Sequence, residues 1–63
     1  MNNRLQELRW KKDWSQAKLS RLSGVPRTTI SAIESGTTTN PSVETALLLS
    51  KALGMPVEDI FIL

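Results

Sequence analysis

Arg27, Thr28, Ser31 and Ala32 recur at the spacing of one exposed helical face, and Arg27 carries a guanidinium that can donate two hydrogen bonds to guanine O6 and N7. Thr28 suits a thymine methyl or a phosphate oxygen, while Ser31 and Ala32 are small enough to let a helix approach closely. Ala32 brings no donor, so discrimination there rests on van der Waals contact. The other reading of Arg27 is a phosphate contact or a solvated side chain. Ahead of this face, Ser15 and Gln16 open a second amphipathic stretch. A helix start presents unpaired amides and a partial positive charge, which together hold phosphate. Gln16 can add its side-chain amide to such a site or simply complete the local cap.

Two short helices and a tight turn are needed to position these groups. Ser15 is a good N-cap, because its hydroxyl accepts from a free first-turn amide. Ala17, Leu19 and Leu22 are spaced to point inward, and Gly24 fits the left-handed cap of a sharp turn. Val25, Ile30 and Ile33 supply inward contacts after it. Pro26 is accommodated at the start of the second helix, where its missing amide has no partner to lose. Residues 15–36 therefore read as a helix-turn-helix, whose second helix can enter the DNA major groove.

Around this unit the spacing predicts a first helix from about Asn3 to Asp13, with Leu5 and Leu8 in the core and Arg9 and Lys12 sharing their face. Trp10 and Trp14 are expected to serve structurally near its end. Helix two covers about Gln16 to Leu22 and helix three about Arg27 to Ser35, where Gly36 stops it. Thr37 to Pro41 has no apolar anchor and reads as an exposed loop. Ser42 caps a fourth helix carrying Ala46, Leu47, Leu48 or Leu49, Ala52 and Leu53, closed by Gly54. From Val57 to Phe61 there is room for one or two further turns, with Glu58 and Asp59 near the positive end of the helix dipole. Ile60 and Phe61 are expected in the core, and Ile62 and Leu63 either at a homodimer interface or at the cut end of a longer chain. The expected architecture is all-α, a compact five-helix bundle forming a single domain over residues 1–63.

Sixty-three residues leave little surplus core, and with no cysteine and no histidine neither disulfides nor ordinary zinc sites can supplement it. No apolar run approaches the roughly 18 residues of a membrane span, so a soluble, cytoplasmic protein is expected. The net charge is only +2, but seven of the eight basic residues lie in the first half and four of the six acids follow residue 33. Such a split fits a basic half facing a polyanion, or a merely solubilising surface. Histidine, cysteine and tyrosine are all missing, and Glu58 and Asp59 are adjacent and so diverge by about 100 degrees on a helix. Neither an enzyme nor a cofactor is expected.

The segment resembles the helix-turn-helix of phage Cro and repressor proteins and their bacterial, XRE-like relatives. It does so in Ser15-Gln16-x-x-Leu19, Gly24-Val25, Ile30-Ser31-x-Ile33-Glu34-x-Gly36 and Pro41, and the likeness extends through Leu53-Gly54-Met55-Pro56-Val57 to Asp59-Ile60-Phe61. The resemblance implies a lambda-repressor-like bundle of bacterial or phage origin that acts on a double-stranded DNA operator, with the first turn of helix three at base edges. It places Gln16 between a phosphate and the recognition helix, and Thr29 at the DNA backbone. Ser15, Pro26, Ser35, Thr37, Thr39 and Asn40 count among its DNA-binding residues, with amides between Gly36 and Asn40 at flanking phosphates. It also pairs Arg9 with Glu34 in a partly buried ion pair that leaves part of the guanidinium free for phosphate. Phe61, Ile62 and Leu63 fall at the dimer interface of such proteins. Many relatives carry lysine or arginine in the loop after helix three, where this chain has three threonines and Asn40.

Two functions follow from these features. One is a sequence-specific transcriptional regulator, acting as a repressor on a pseudo-palindromic operator as a homodimer. The other is a protein-interaction or antitoxin-like module on the same fold, favoured by the uncharged loop and the modest net charge. No small-molecule substrate is evident.

Overall fold

Asn3 decides where the first helix begins. Its side-chain oxygen accepts from the Leu5 amide at 3.1 Å, and its side-chain nitrogen donates to the Ile33 carbonyl at 3.0 Å, so the residue is fixed outside the helix at both ends of its amide. The computed structural model describes residues 2–38 and 40–62. Its elements in order are β1 (Asn2–Asn3), α1 (Leu5–Lys11), α2 (Gln16–Ser23), α3 (Arg27–Ser35), α4 (Val43–Leu53), α5 (Val57–Ile60) and β2 (Phe61–Ile62). The architecture is five short helices, closed by a two-residue antiparallel ladder with Asn2 opposite Ile62 and Asn3 opposite Phe61. This pairing is too short to leave an alternating pattern in the sequence, and it displaces the expected Asn3 start of the first helix.

The far end of α1 is also shorter than the expected Asp13. Asp13 adopts a left-handed conformation, φ 57°. The Asp13 amide reaches back to the Trp10 carbonyl at 3.0 Å and the Trp14 amide to the Arg9 carbonyl at 3.0 Å. That pair of backward bonds is the Schellman arrangement, which normally uses glycine at the left-handed position. Aspartate is among the few other residues that tolerate it. Gly24, with φ 80°, ends α2 as the spacing predicts, and the Ser15 hydroxyl accepts from the Lys18 amide at 3.0 Å at the other end. Ser42 caps α4 in the same way, through the Thr45 amide at 3.1 Å.

Leu5, Leu8, Leu19, Val25, Ile30, Ile33, Ala46, Leu49, Leu53, Ile60 and Phe61 form one buried cluster, so residues from both ends of the chain share a core. Three expected positions differ: Ala17 is exposed, Leu22 is 51% exposed and Leu47 56%. Trp10 is 61% exposed. On α2 the inward row is Leu19 and Ser23. Ser23 can be buried because its hydroxyl donates to the Leu19 carbonyl at 2.7 Å and accepts from the Val25 amide at 3.1 Å. Val25, just past the turn, is buried in the core as expected. On α4, Leu49 takes the central position and Leu47 points away from it.

Deleting three carbons from fully buried Leu49 in Leu49→Ala should cost about 2 to 5 kcal/mol in urea unfolding, whereas Leu22→Ala should stay within about 0.5 kcal/mol. Equal costs at the two positions would mean that α2 is rotated from the register described.

Candidate nucleic-acid interface

A single ion pair joins the helices that carry the expected site. Arg9 Nε donates to Glu34 Oε2 and Arg9 Nη2 to Glu34 Oε1, both at 2.9 Å, which is the two-pronged geometry of a guanidinium on a carboxylate. The two side chains are only 8% and 4% exposed. The third prong, Nη1, donates to the Trp14 carbonyl at 2.7 Å. Three of the five guanidinium N–H groups are thus engaged within the chain, one from each nitrogen. The bond to Glu34 holds the Arg9 pKa above its ordinary value, with burial opposing.

Gln16, the first residue of α2, adds a second strand to this bridge: its Nε2 donates to Glu34 Oε1 at 3.2 Å. Arg9 of α1, Gln16 of α2 and Glu34 of α3 thus meet at one carboxylate. The turn between α2 and α3 is fixed separately, by the Ser20 hydroxyl donating to the Val25 carbonyl at 2.6 Å. Neither Ser20 nor the Trp14 carbonyl stood out in the sequence, since a serine in a helix and a backbone oxygen carry no spacing signal.

Held in this way, α3 shows Arg27, Thr28 and Ser31 fully on the outside, with Ala32 half-buried beside them. Pro26 caps the helix and is exposed, and Thr29 is half-buried. The first turns of α2 and α3 contain no acid. Those of α1, α4 and α5 contain Glu7, Glu44, and Glu58 with Asp59. An acid in the first turn neutralises the positive end of a helix; α2 and α3 have none of their own, although the Glu34 carboxylate lies beside Gln16 at the start of α2.

The loop behind α3 is more occupied than expected. The Gly36 amide donates to the Ile33 carbonyl at 3.2 Å and the Thr38 amide to the Ala32 carbonyl at 3.0 Å, so neither is free for a phosphate. Ser35 Oγ donates to the Ala32 carbonyl at 3.2 Å and lies 3.0 Å from Thr37 Oγ1. Thr37 and Asn40 are exposed, and Thr39 lies outside the described residues. At the expected dimer surface, Phe61 is 8% exposed and belongs to the core, Ile62 is 45% exposed, and Leu63 lies outside the described residues. An open apolar groove of about 300 Å³ is lined by Pro41, Val43, Ala46, Leu47, Val57 and Phe61. Among the described residues, no helix is long and apolar enough to cross a membrane.

A helix-turn-helix family model matches residues 5–60. The uncharacterized HTH-type transcriptional regulator YgzD of Bacillus subtilis is 44% identical over 61 residues, covering 97% of this chain and 91% of that protein. An uncharacterized HTH-type transcriptional regulator of the archaeon Methanocaldococcus jannaschii is 40% identical over 62 residues, covering 98% and 92%. In three dimensions the chain is similar to the restriction-modification controller protein C.AhdI from Aeromonas hydrophila. Their TM-score is 0.84 at 38% identity, covering 92% of this chain and 86% of the other.

Because Glu34 is buried with two donors aimed at it, Glu34→Ala should cost about 3 to 5 kcal/mol by leaving the Arg9 charge unpaired. The double variant Arg9→Met, Glu34→Leu should recover most of that loss in the same urea titration. A double variant no more stable than Glu34→Ala would show that the pair is net stabilising.

Proposed function

The chain belongs to the helix-turn-helix family, a family of DNA-binding transcriptional regulators rather than enzymes, and we propose that it binds a specific pseudo-palindromic operator as a homodimer and represses transcription there. The observation that carries this reading is the outer face of α3, Arg27, Thr28, Ser31 and Ala32, held rigidly by the bridge from Arg9 and Gln16 to Glu34. A recognition helix must be presented at a fixed angle, because hydrogen bonds to base edges tolerate little error in position. In this reading Arg27 contacts a guanine, Thr28 a thymine methyl, and Ser31 and Ala32 lie against the groove floor. Ser15, Gln16, Pro26, Thr29, Ser35, Thr37 and Asn40 face the flanking phosphates and fix the register. The 63 residues act as one domain, in the cytoplasm.

Dimerisation is supported by the apolar groove and its rim. Val43 and Leu47 of the groove are 76% and 56% exposed and Ile62, next to Phe61 in the chain, is 45% exposed, outward aliphatic side chains that a second copy would cover. Two copies related by a two-fold axis would read half-sites about one helical turn apart. The likeness to a restriction-modification controller agrees with action at an operator.

Selection from a randomised duplex library should enrich a two-fold-symmetric motif with that spacing; no enrichment at low salt would favour the protein-interaction reading instead. Against the selected duplex, Arg27→Ala should lose about 1 to 3 kcal/mol of discrimination at one base pair of each half-site. A uniform loss on all sequences would make Arg27 a phosphate contact. Leu47→Glu should shift sedimentation toward monomer with the fold retained by circular dichroism, and an unchanged profile would remove the groove from the interface.

A further inference from the structure

Asn3 belongs to the ladder that joins the two ends of the chain, and it is bonded to α3 as well. Its backbone lies opposite Phe61, its side-chain oxygen accepts from the Leu5 amide at 3.1 Å, and its side-chain nitrogen donates to the Ile33 carbonyl at 3.0 Å. That carbonyl stands in the last turn of α3, where the backbone offers it the Gly36 amide at 3.2 Å. The next residue, Glu34, is held from other elements, by Arg9 of α1 and Gln16 of α2. A helix held at one polar point can still pivot about it, since aliphatic contacts permit small rotations. The bond from Asn3 adds a second point, anchored in β1. With nine residues α3 is about 13 Å long, so a tilt at this pinned end is carried to Arg27 and Thr28 at the other.

In the other direction the ladder leads to the apolar groove. Phe61, opposite Asn3, lines that groove together with Val57, and the Arg4 amide donates to the Ile60 carbonyl at 2.8 Å beside it. A ladder of two residues on each strand is marginal by itself and lies where chains fray, so it exchanges between a closed and an open form. In the open form Asn3 leaves its place, and the Ile33 carbonyl loses its bond. A second copy seated in the groove packs against Phe61 where the closed ladder holds it, and so binds that form better. We infer that Asn3 is a positioning residue coupling the groove to the recognition helix: a second copy on the groove keeps the ladder closed, and the closed ladder fixes the last turn of α3 through Asn3. Dimerisation then sharpens each reading head besides bringing two of them together. The effect is reciprocal, because a duplex that selects the fixed α3 also favours the closed ladder and the dimer. This inference rests on the regulator reading above and on its dimer through the groove.

The test uses the intact protein and two readouts. The first is hydrogen exchange at the Arg4 amide, whose partner is the Ile60 carbonyl across the chain ends. In wild type it should slow severalfold from dilute to concentrated protein, in step with self-association by sedimentation, and in Leu47→Glu it should not depend on concentration. The second is affinity for the selected duplex and for an unrelated one. Asn3→Ser keeps a hydroxyl oxygen for the Leu5 amide but is too short to reach Ile33. It should bind the selected duplex roughly two- to tenfold more weakly, the worth of one hydrogen bond, with the unrelated duplex unchanged. A merely structural role would lower the folded fraction and weaken both complexes alike. Arg4 exchange indifferent to self-association, or an equal loss on both duplexes, overturns the inference while leaving the regulator reading intact. A wild-type protein that prefers no duplex, or stays monomeric both free and on DNA, overturns both.

Discussion

The Glu34 carboxylate is the point on which the geometry of the interface depends. It receives two bonds from Arg9 and one from Gln16, so α1, the start of α2 and the end of α3 are tied to a group almost closed to water. Charge pairs in such surroundings add little net stability, since removing both charges from water offsets most of their attraction. What they add is direction. A guanidinium fork on a carboxylate has one good geometry, whereas aliphatic contacts between two helices permit sliding and rotation. The outer face of α3 is therefore aimed by a polar bridge, and the apolar core beneath it supplies the stability.

The same division of labour recurs at the turns. Ser20 and Ser23 each satisfy a backbone group of the α2–α3 connection, and Asn3 reaches both the start of α1 and the carbonyl of Ile33. In a chain this small, the helices are only about one to three turns long, so a large share of their backbone groups lies at an end with no helical partner. Short polar side chains supply those partners at several of these ends. The ladder between Asn2–Asn3 and Phe61–Ile62 extends the principle to the termini, joining the two ends of the chain beside Ile60 and Phe61.

Charge is placed rather than accumulated. The net charge of +2 is too small to draw the whole molecule to a polyanion. Yet the acids of the first turns sit on α1, α4 and α5, and are missing from α2 and α3. Lys12 and Lys18 both lie beside the Trp14 ring, at the junction of α1 and α2.

Much of this was readable along the chain, because caps and helical periodicity are local properties. Ser15, Gly24, Gly36, Ser42 and Gly54 mark helix ends by chemistry that acts within a few residues, and α3 runs from Arg27 to Ser35 as the sequence predicts. The exposed row on α3 follows from the same periodicity. Only the tertiary structure decided the rotation of α2, which buries Ser23 and leaves Leu22 outside, because that choice depends on which residues across the turn fill the core. It alone decided that Arg9 bonds the Trp14 carbonyl as well as Glu34, that the Gly36 and Thr38 amides are occupied, and that Lys12 and Lys18 both approach the Trp14 ring. Each of these is a contact between groups that sequence spacing cannot bring together, since distance through space is set by how the helices pack and not by their separation along the chain.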